Sequence, residues 1–204
     1  MKEFWDKRYS EKEYIYGKEP NVYFSEKLVT LPKGKILLPA DGEGRNGVYA
    51  ASLGWEVFCF DQSQQAQKKA HLLAKEKNVS IKYEVADFSE VNYPKESMDC
   101  IAFIFVHLPL DVRINYHQKV FECLKLGGSI ILEAFHKEHL NYQKIYPQVG
   151  GPSNPELLYT KEEVIKFFPN FKILELLETE ISLKEGTSHI GKAKVVRLFG
   201  KKEM

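Results

Sequence analysis

The run Gly42-Glu43-Gly44-Arg45-Asn46-Gly47 constrains this chain more than any other feature, because it lies between an apolar stretch and a helix of small residues. Gly34 precedes Ile36, Leu37 and Leu38, a strand that stops at Asp41-Gly42-Glu43-Gly44. From Arg45 to Leu53, Val48, Ala51 and Ser52 recur at helical spacing, and Gly54 follows as a stop. A strand, a glycine turn and a helix in that order open an α/β fold whose helix N-terminus faces a ligand.

The rest of the chain continues the rhythm. Glu56 to Phe60 reads as a buried strand ending at Asp61, and Ala66, Ala70, Leu73 and Ala74 mark the apolar face of a second helix. Strands are expected at Ile81 to Ala86 and Met98 to Val106, the second apolar enough to be buried on both faces of a parallel sheet. Asp111 is placed to cap a helix with Val112, Tyr116, Val120, Cys123 and Leu124 on its inner face, ended by Gly127-Gly128, before a strand from Ser129 to Phe135. A helix from Thr160 to Phe168 and two strands, Phe171 to Ser182 and Lys192 to Gly200, close the chain; with no helix between them these last strands must pair antiparallel. The expectation is a Rossmann-like, doubly wound sheet of seven strands, the last antiparallel.

A chain of 204 residues suits one such domain, residues 1–204, with 1–33 as an N-terminal helical lid region and 34–204 as the core. Twenty-nine basic against 28 acidic residues give a net charge of +1, which argues for a small-molecule partner and against nucleic acid. No apolar run approaches 18 residues, and the N-terminus lacks an apolar leader core, so no membrane partner is expected. Cys59, Cys100 and Cys123 are odd in number, scattered and set among apolar residues, as buried thiols in a cytoplasmic protein would be. Oligomeric state is not legible.

The glycine run matches G-x-G-x-x-G, and Asp61 lies nineteen residues beyond Gly42 at the next strand's end, which taken alone indicates a dinucleotide. Asp41 and Glu43 argue otherwise, because two carboxylates would have to wrap a diphosphate; like charges about 4 Å apart repel by about 4 kcal/mol at an effective dielectric near 20. S-adenosylmethionine (SAM), carrying a sulfonium and an ammonium and no phosphate, is the adenosine ligand that suits such a turn. Asp61 serves the ribose of either ligand. Asp87-Phe88, after the third strand, offers a carboxylate to an adenine amino group and a ring to its face.

With these residues in view, the sequence resembles the class I SAM-dependent methyltransferases, nearest the bacterial branch of tellurite-resistance and thiopurine methyltransferases. The resemblance rests on Trp5, Tyr9, Tyr16-Gly17-Lys18-Glu19-Pro20-Asn21, Gly42-Glu43-Gly44-Arg45-Asn46, Asp61, Asp87-Phe88, His107-Leu108-Pro109, Arg113, Gly127-Gly128 and Glu133-Ala134-Phe135. It implies methyl transfer from SAM to a small acceptor, such as a thiol or a chalcogen oxyanion. The cofactor would be held by Tyr16, Ala40, Asp41, Gly42, Gly44, Arg45, Asp61, Gln62, Asp87 and Phe88, with Phe103 lining the site. Where the family usually has Asp-Leu-Gly-Cys-Gly, this chain has Leu38-Pro39-Ala40-Asp41-Gly42, and Asp41 is the carboxylate available to replace the one missing at Leu38. An NAD(P)-dependent oxidoreductase and a catalytically idle SAM-binding or regulatory protein are the alternatives.

Methyl transfer from a sulfonium needs positioning and exclusion of water more than a triad, and a base only for acceptors that carry a proton. His107, past the fourth strand, is the candidate base or orienting donor; the alternative is a structural histidine. Arg113 is either a clamp for an anionic substrate or half of a surface ion pair. Glu133 in an apolar strand must be paired or face a cleft, and the cleft is favoured. His189 is read first as part of a solvated loop and second as reaching over the site. Trp5, Tyr9, Tyr14 and Tyr16 form a lid or an amphipathic cover, and Tyr142 to Pro155 is a loop facing the substrate. His136 and His139 lack further ligands at suitable spacing, so no metal is expected.

Overall fold

The structure is a computed structural model that describes residues 2–203; Met1 and Met204, the ends of the expected domain, lie outside the described residues. Seven strands form one sheet in the order β3-β2-β1-β4-β5-β7-β6. They are β1 (Lys35–Pro39), β2 (Glu56–Asp61), β3 (Lys82–Val85), β4 (Met98–Ile104), β5 (Leu124–Phe135), β6 (Phe171–Glu185) and β7 (His189–Lys202). The first five run parallel, and β7 lies antiparallel between β5 and β6. The helices are α1 (Lys2–Tyr9), α2 (Val22–Leu28), α3 (Arg45–Ser52), α4 (Gln64–Glu76), α5 (Leu110–Phe121), α6 (His139–Ile145) and α7 (Lys161–Ile165).

Alternation along the central strands explains the two layers of helix. On β1, Ile36 and Leu38 pack with α2, α3 and α4, while Leu37 points to the opposite face and joins the cluster of α5 and α7. Both faces of the parallel strands are thus dry, which their unbroken apolar runs require. The α4 helix buries Ala66, Ala70, Leu73 and Ala74, as its spacing predicts, and Ser63 Oγ caps it by accepting from Ala66 N at 3.1 Å. No helix among the described residues is long and apolar enough to cross a membrane.

Several boundaries differ from the sequence reading. Pro109, not Asp111, is the N-cap of α5. Gly127-Gly128 does not end that helix but lies inside β5, which starts at Leu124 and shifts register against β4 between Met98 and Cys100. Gly127 has φ +75°, a backbone excursion that marks a bulge. The α7 helix is shorter than expected, because Pro169 disfavours helix just before it; its Thr160–Glu163 capping box defines the start. The terminal hairpin is longer than expected: β6 and β7 stay paired out to Glu185 and His189.

That extension carries the hairpin tip over the carboxyl ends of the parallel strands, where it meets the N-terminal segment. Thr187 N donates to Ile15 O at 2.9 Å. A Cβ on Gly186, which has φ +55°, would lie 2.3 Å from Ile15 O and 2.4 Å from Gly17 N, so only glycine permits this approach.

The two chain ends are also joined beneath. Glu133, on β5, has no exposed surface and accepts from Asn21 Nδ2 at 2.7 Å and Arg197 Nε at 2.5 Å. Asn21 caps α2 with its Oδ1, and the Arg197 guanidinium lies 4.6 Å from the Tyr23 ring centre. Glu133 is therefore paired, and the expectation that it faces the cleft is not met. Removing one partner strands a buried charge: Arg197→Met should cost about 3–5 kcal/mol in urea unfolding near neutral pH. Burial already raises the Glu133 pKa, so the deficit should shrink on acidification as the orphaned carboxyl takes a proton.

Candidate functional site

A cleft of about 890 Å³ opens at the carboxyl ends of β1, β2, β3 and β4, where strand order reverses between β1 and β4. This is the switch point at which ligands of doubly wound sheets bind. One rim is built by the glycine turn. Ala40 has φ +50° and Gly42 and Gly44 have φ +56° and +84°, so the turn keeps three residues in left-handed geometry although Ala40 stands where the resembling family carries glycine. A Cβ on Gly44 would lie 2.5 Å from Ala70 Cβ, and one on Gly42 would lie 2.7 Å from the Tyr9 hydroxyl. The turn is pinched between α4 below and Tyr9 above, and the Tyr83 hydroxyl donates to Gly42 O at 2.5 Å.

Gly44 is the N-cap of α3 but has no side chain to cap it. Asp41 supplies the missing acceptor: its Oδ2 takes the Gly47 N–H at 3.0 Å and the Cys59 thiol at 3.5 Å. Its Oδ1 is sealed from solvent without a hydrogen-bond partner, and burial drives the pKa up to about 7. Asp61 at the end of β2 accepts from Gly42 N at 3.2 Å and Ser63 N at 2.9 Å, and burial raises it to about 6. Gln62, Asp87 and Phe88 complete this rim; Phe88 stacks on Tyr116 and meets Phe60 edge-on.

Glu43 turns away from the ligand space. It accepts from Ile15 N at 2.8 Å and pairs with Lys69 at 2.7 Å. Of the two carboxylates expected to repel a diphosphate, one is therefore neutralised and the other is readily protonated, so the repulsion is weaker than the sequence suggests. Arg45 reaches Tyr16 O at 3.2 Å and Glu185 at 2.9 Å, which ties the turn to the roof.

The opposite rim is aromatic and histidine-rich. Phe105, with φ +54° just past β4, stacks on Phe135 at 4.5 Å; such a side chain in left-handed geometry stores strain of the kind found at functional sites. His107 lines the cleft, but both ring nitrogens are committed: Nδ1 lies 2.8 Å from Leu157 O, and Nε2 accepts from Phe135 N at 3.4 Å. Burial pushes its pKa down to about 3, against the raising effect of the Leu157 hydrogen bond. His107 is held as a structural histidine and has no lone pair to offer as a base.

Three other expected residues change place. Arg113 is not a clamp in the cleft; it is half of an ion pair, with Glu163 at 3.4 Å, but a buried one: it has no exposed surface, binds the carbonyls of Leu108, Leu158 and Glu156, and lies 4.1 Å from the Tyr159 ring centre. Phe103 faces the α5 side, packed on His117 and Phe168, and does not line the cleft. His189 is not in a solvated loop; it is buried, starts β7 and lines the cleft beside Tyr16. Part of the expected loop from Tyr142 is α6, and only Pro147 to Asn154 forms the strap that lines the site. His136 and His139 point apart, to Glu178 and to Gly150 O.

Sequence pattern hides Phe105, since strand periodicity carries through it. Nor did it reveal Arg8, which lines the cleft with a buried, unpartnered Nε and its guanidinium 5.7 Å from the Tyr16 ring centre.

Comparison with known proteins places this geometry. Residues 36–128 match the model of a methyltransferase domain, a span that contains the glycine turn, Asp61 and Asp87. No curated protein matches the sequence. Among solved structures, one from a study of the conversion of a disulfide bond into a thioacetal group during echinomycin biosynthesis is 18% identical, with a TM-score of 0.79, covering 100% of this chain and 92% of that one. TehB from Haemophilus influenzae is 17% identical, with a TM-score of 0.72, covering 99% of this chain and 67% of its own. A SAM-dependent methyltransferase from Methanosarcina mazei is 19% identical, with a TM-score of 0.71, covering 91% and 99%.

Asp41 offers a test of the turn. Its carboxyl is buried in the fold with a pKa near 7 against 3.8 when free, so the stability from burying the neutral form is complete below pH 3.8 and lost as pH rises through about 7. Asp41→Asn keeps an acceptor for Gly47 and should be the more stable protein at pH 8 in thermal melts. Its calorimetric affinity for SAM should nevertheless fall tenfold or more, about 1.4 kcal/mol. Over residues 36–128 the chain is thus similar to methyltransferase domains, and its sheet has the fold of the solved structures named above.

Proposed function

We propose that the chain, acting as one domain with residues 1–33 as lid over the 34–204 core, transfers the methyl group of SAM to a small thiol. The acceptor side of the cleft carries this reading: Phe105, Phe135, His107 and His189 form an aromatic wall whose imidazoles are held neutral by burial. Such a wall suits a soft, uncharged sulfur nucleophile and excludes water from the reacting atoms.

On the cofactor rim, Asp61 accepts the ribose hydroxyls, and Asp87 and Phe88 flank the adenine. Gly42 and Gly44 let the backbone approach the methionine end, with Tyr16, Ala40, Gln62 and Arg45 around it, and the orphaned Oδ1 of Asp41 takes the positive charge there. The residues present fit the group: two glycines in left-handed geometry on the cleft wall and an unpartnered buried carboxylate oxygen beneath them. Bound SAM supplies an electrophilic methyl on sulfonium sulfur. Every other demand, orientation, desolvation and removal of the acceptor's proton, falls on the chain.

A chalcogen oxyanion is the second reading, favoured by the Arg8 guanidinium among the residues that line the cleft and by the likeness to TehB. In this reading the chain belongs with the tellurite-resistance branch. The near-neutral charge supports a small acceptor over nucleic acid, and three free buried thiols support a cytoplasmic location.

The test is calorimetry with SAM, its demethylated product and NAD, followed by methyl transfer from labelled SAM to an alkyl thiol, selenite and tellurite. SAM and its product should bind and NAD should not, with label appearing in the thioether. Binding of NAD alone overturns the reading in favour of an oxidoreductase; SAM binding without turnover on any acceptor overturns it in favour of an idle binder. Arg8→Ala should cost tenfold or more on the oxyanions, about 1.4 kcal/mol, and little on the neutral thiol.

A further inference from the structure

A thiol or other X–H acceptor must lose its proton as the methyl group arrives, and His107 has no free nitrogen with which to take it. A second histidine in the same cleft does. His189 Nδ1 lies 2.8 Å from Glu185 Oε2, and among the described residues the ring makes its side-chain hydrogen bond through that nitrogen, with Nε2 beside Gly150. Glu185 is fixed by Arg45, which donates to the same Oε2 at 2.9 Å, and by Asn21 Nδ2, which donates to Oε1 at 3.4 Å. The imidazole packs between Tyr16, 4.3 Å away, and Phe105, 4.8 Å away between ring centres. Gly150 closes over its edge: a Cβ there would lie 2.7 Å from His189 Cδ2. The arrangement is that of a carboxylate-oriented imidazole in a residue that lines the cleft, with its second nitrogen outside that bond.

We propose that His189, oriented by Glu185, is the base that removes the acceptor's proton. The inference rests on the methyl-transfer reading above. In the step, the acceptor's X–H bond breaks and the proton goes to Nε2. The electron pair left on X forms the bond to the methyl carbon as the methyl–sulfonium bond breaks, and that bond's electrons remain on the departing sulfur. The imidazolium then returns its proton to water, so one acceptor and one SAM give methylated acceptor, S-adenosylhomocysteine and a proton.

The charges around the ring favour a base that is free at neutral pH. Burial lowers the His189 pKa, opposed by the hydrogen bond and charge of Glu185; Arg45 on α3 and Arg8 on α1 lower it further. His139 on α6, His107 past β4 and Tyr16 ahead of α2 also face this space. Burial would raise Glu185, but its bond to His189 and the Arg45 charge bring it down to about 2, so it stays ionised throughout the working range.

The experiment compares wild type, His189→Asn and Glu185→Gln on two probe thiols, an alkyl thiol protonated at neutral pH and an aromatic thiol already ionised there. His189→Asn should lose about a hundredfold in kcat on the alkyl thiol, within the usual contribution of general-base catalysis, and less than about fivefold on the ionised one. In wild type, kcat/KM for the alkyl thiol should rise through a midpoint below 6.5. Glu185→Gln should move that midpoint lower, and in His189→Asn it should disappear, leaving only the rise that follows the thiol's own ionisation. Nitrogen-15 NMR of the ligand-free protein should show His189 with its proton on Nδ1. Equal losses on the two thiols, an unchanged pH profile, or a proton found on Nε2 overturns the assignment, as does SAM binding with no turnover of either thiol. Failure of wild type to bind SAM in calorimetry would instead overturn the methyl-transfer reading itself.

Discussion

A carboxylate with no access to water, Glu133, holds the architecture of the cleft in place. It bridges Asn21 ahead of α2 and Arg197 on β7, and Asn21 passes the connection on to Glu185, which in turn holds Arg45 and His189. Residues from the start, middle and end of the chain thus share one chain of charge-assisted contacts. A buried ion pair of this kind contributes little net stability against an apolar alternative, but it tolerates only one arrangement of its partners. Here that arrangement sets the height of the roof above the glycine turn.

How much of this could be read from residues alone follows from which interactions are local. The strand–turn–helix unit at Gly42–Gly47 was legible because its period, glycines and following Asp61 all lie within one short segment. Asp61, Asp87 and Phe88 line the cleft for the same reason: each follows a strand end, and in a doubly wound sheet strand ends converge. Phe103 and Phe105 show the limit. They differ by two residues, and the distinction between core and cleft arises from a single left-handed backbone at Phe105 that no pattern announces.

Charged residues were harder still, because composition shows a charge and conceals its partner. Glu43 looked like a repulsive group in the ligand turn, yet Lys69 on α4 cancels it. Arg113 looked like a clamp, yet four backbone carbonyl contacts, the Glu163 carboxylate and the Tyr159 ring hold it inside the protein. The histidines divide in the same way. His107 is fixed at both nitrogens, while His189, taken for a loop residue, is fixed at one. The difference lies in the three-residue turn at Gly186, which lets the terminal strands stay paired to their tip and so brings His189 beside Glu185.

The docking of that tip on Ile15 and Gly17 has a consequence for how the molecule is made. Ile15 and Gly17 wait for Gly186 and Thr187, the latter 172 residues after Ile15, before either finds its place, so the parallel strands can assemble during translation while the ligand chamber above them remains open. Only when the β6–β7 hairpin has left the ribosome does the chamber gain a ceiling. Any competence for chemistry therefore arrives in one late event, rather than growing with the chain.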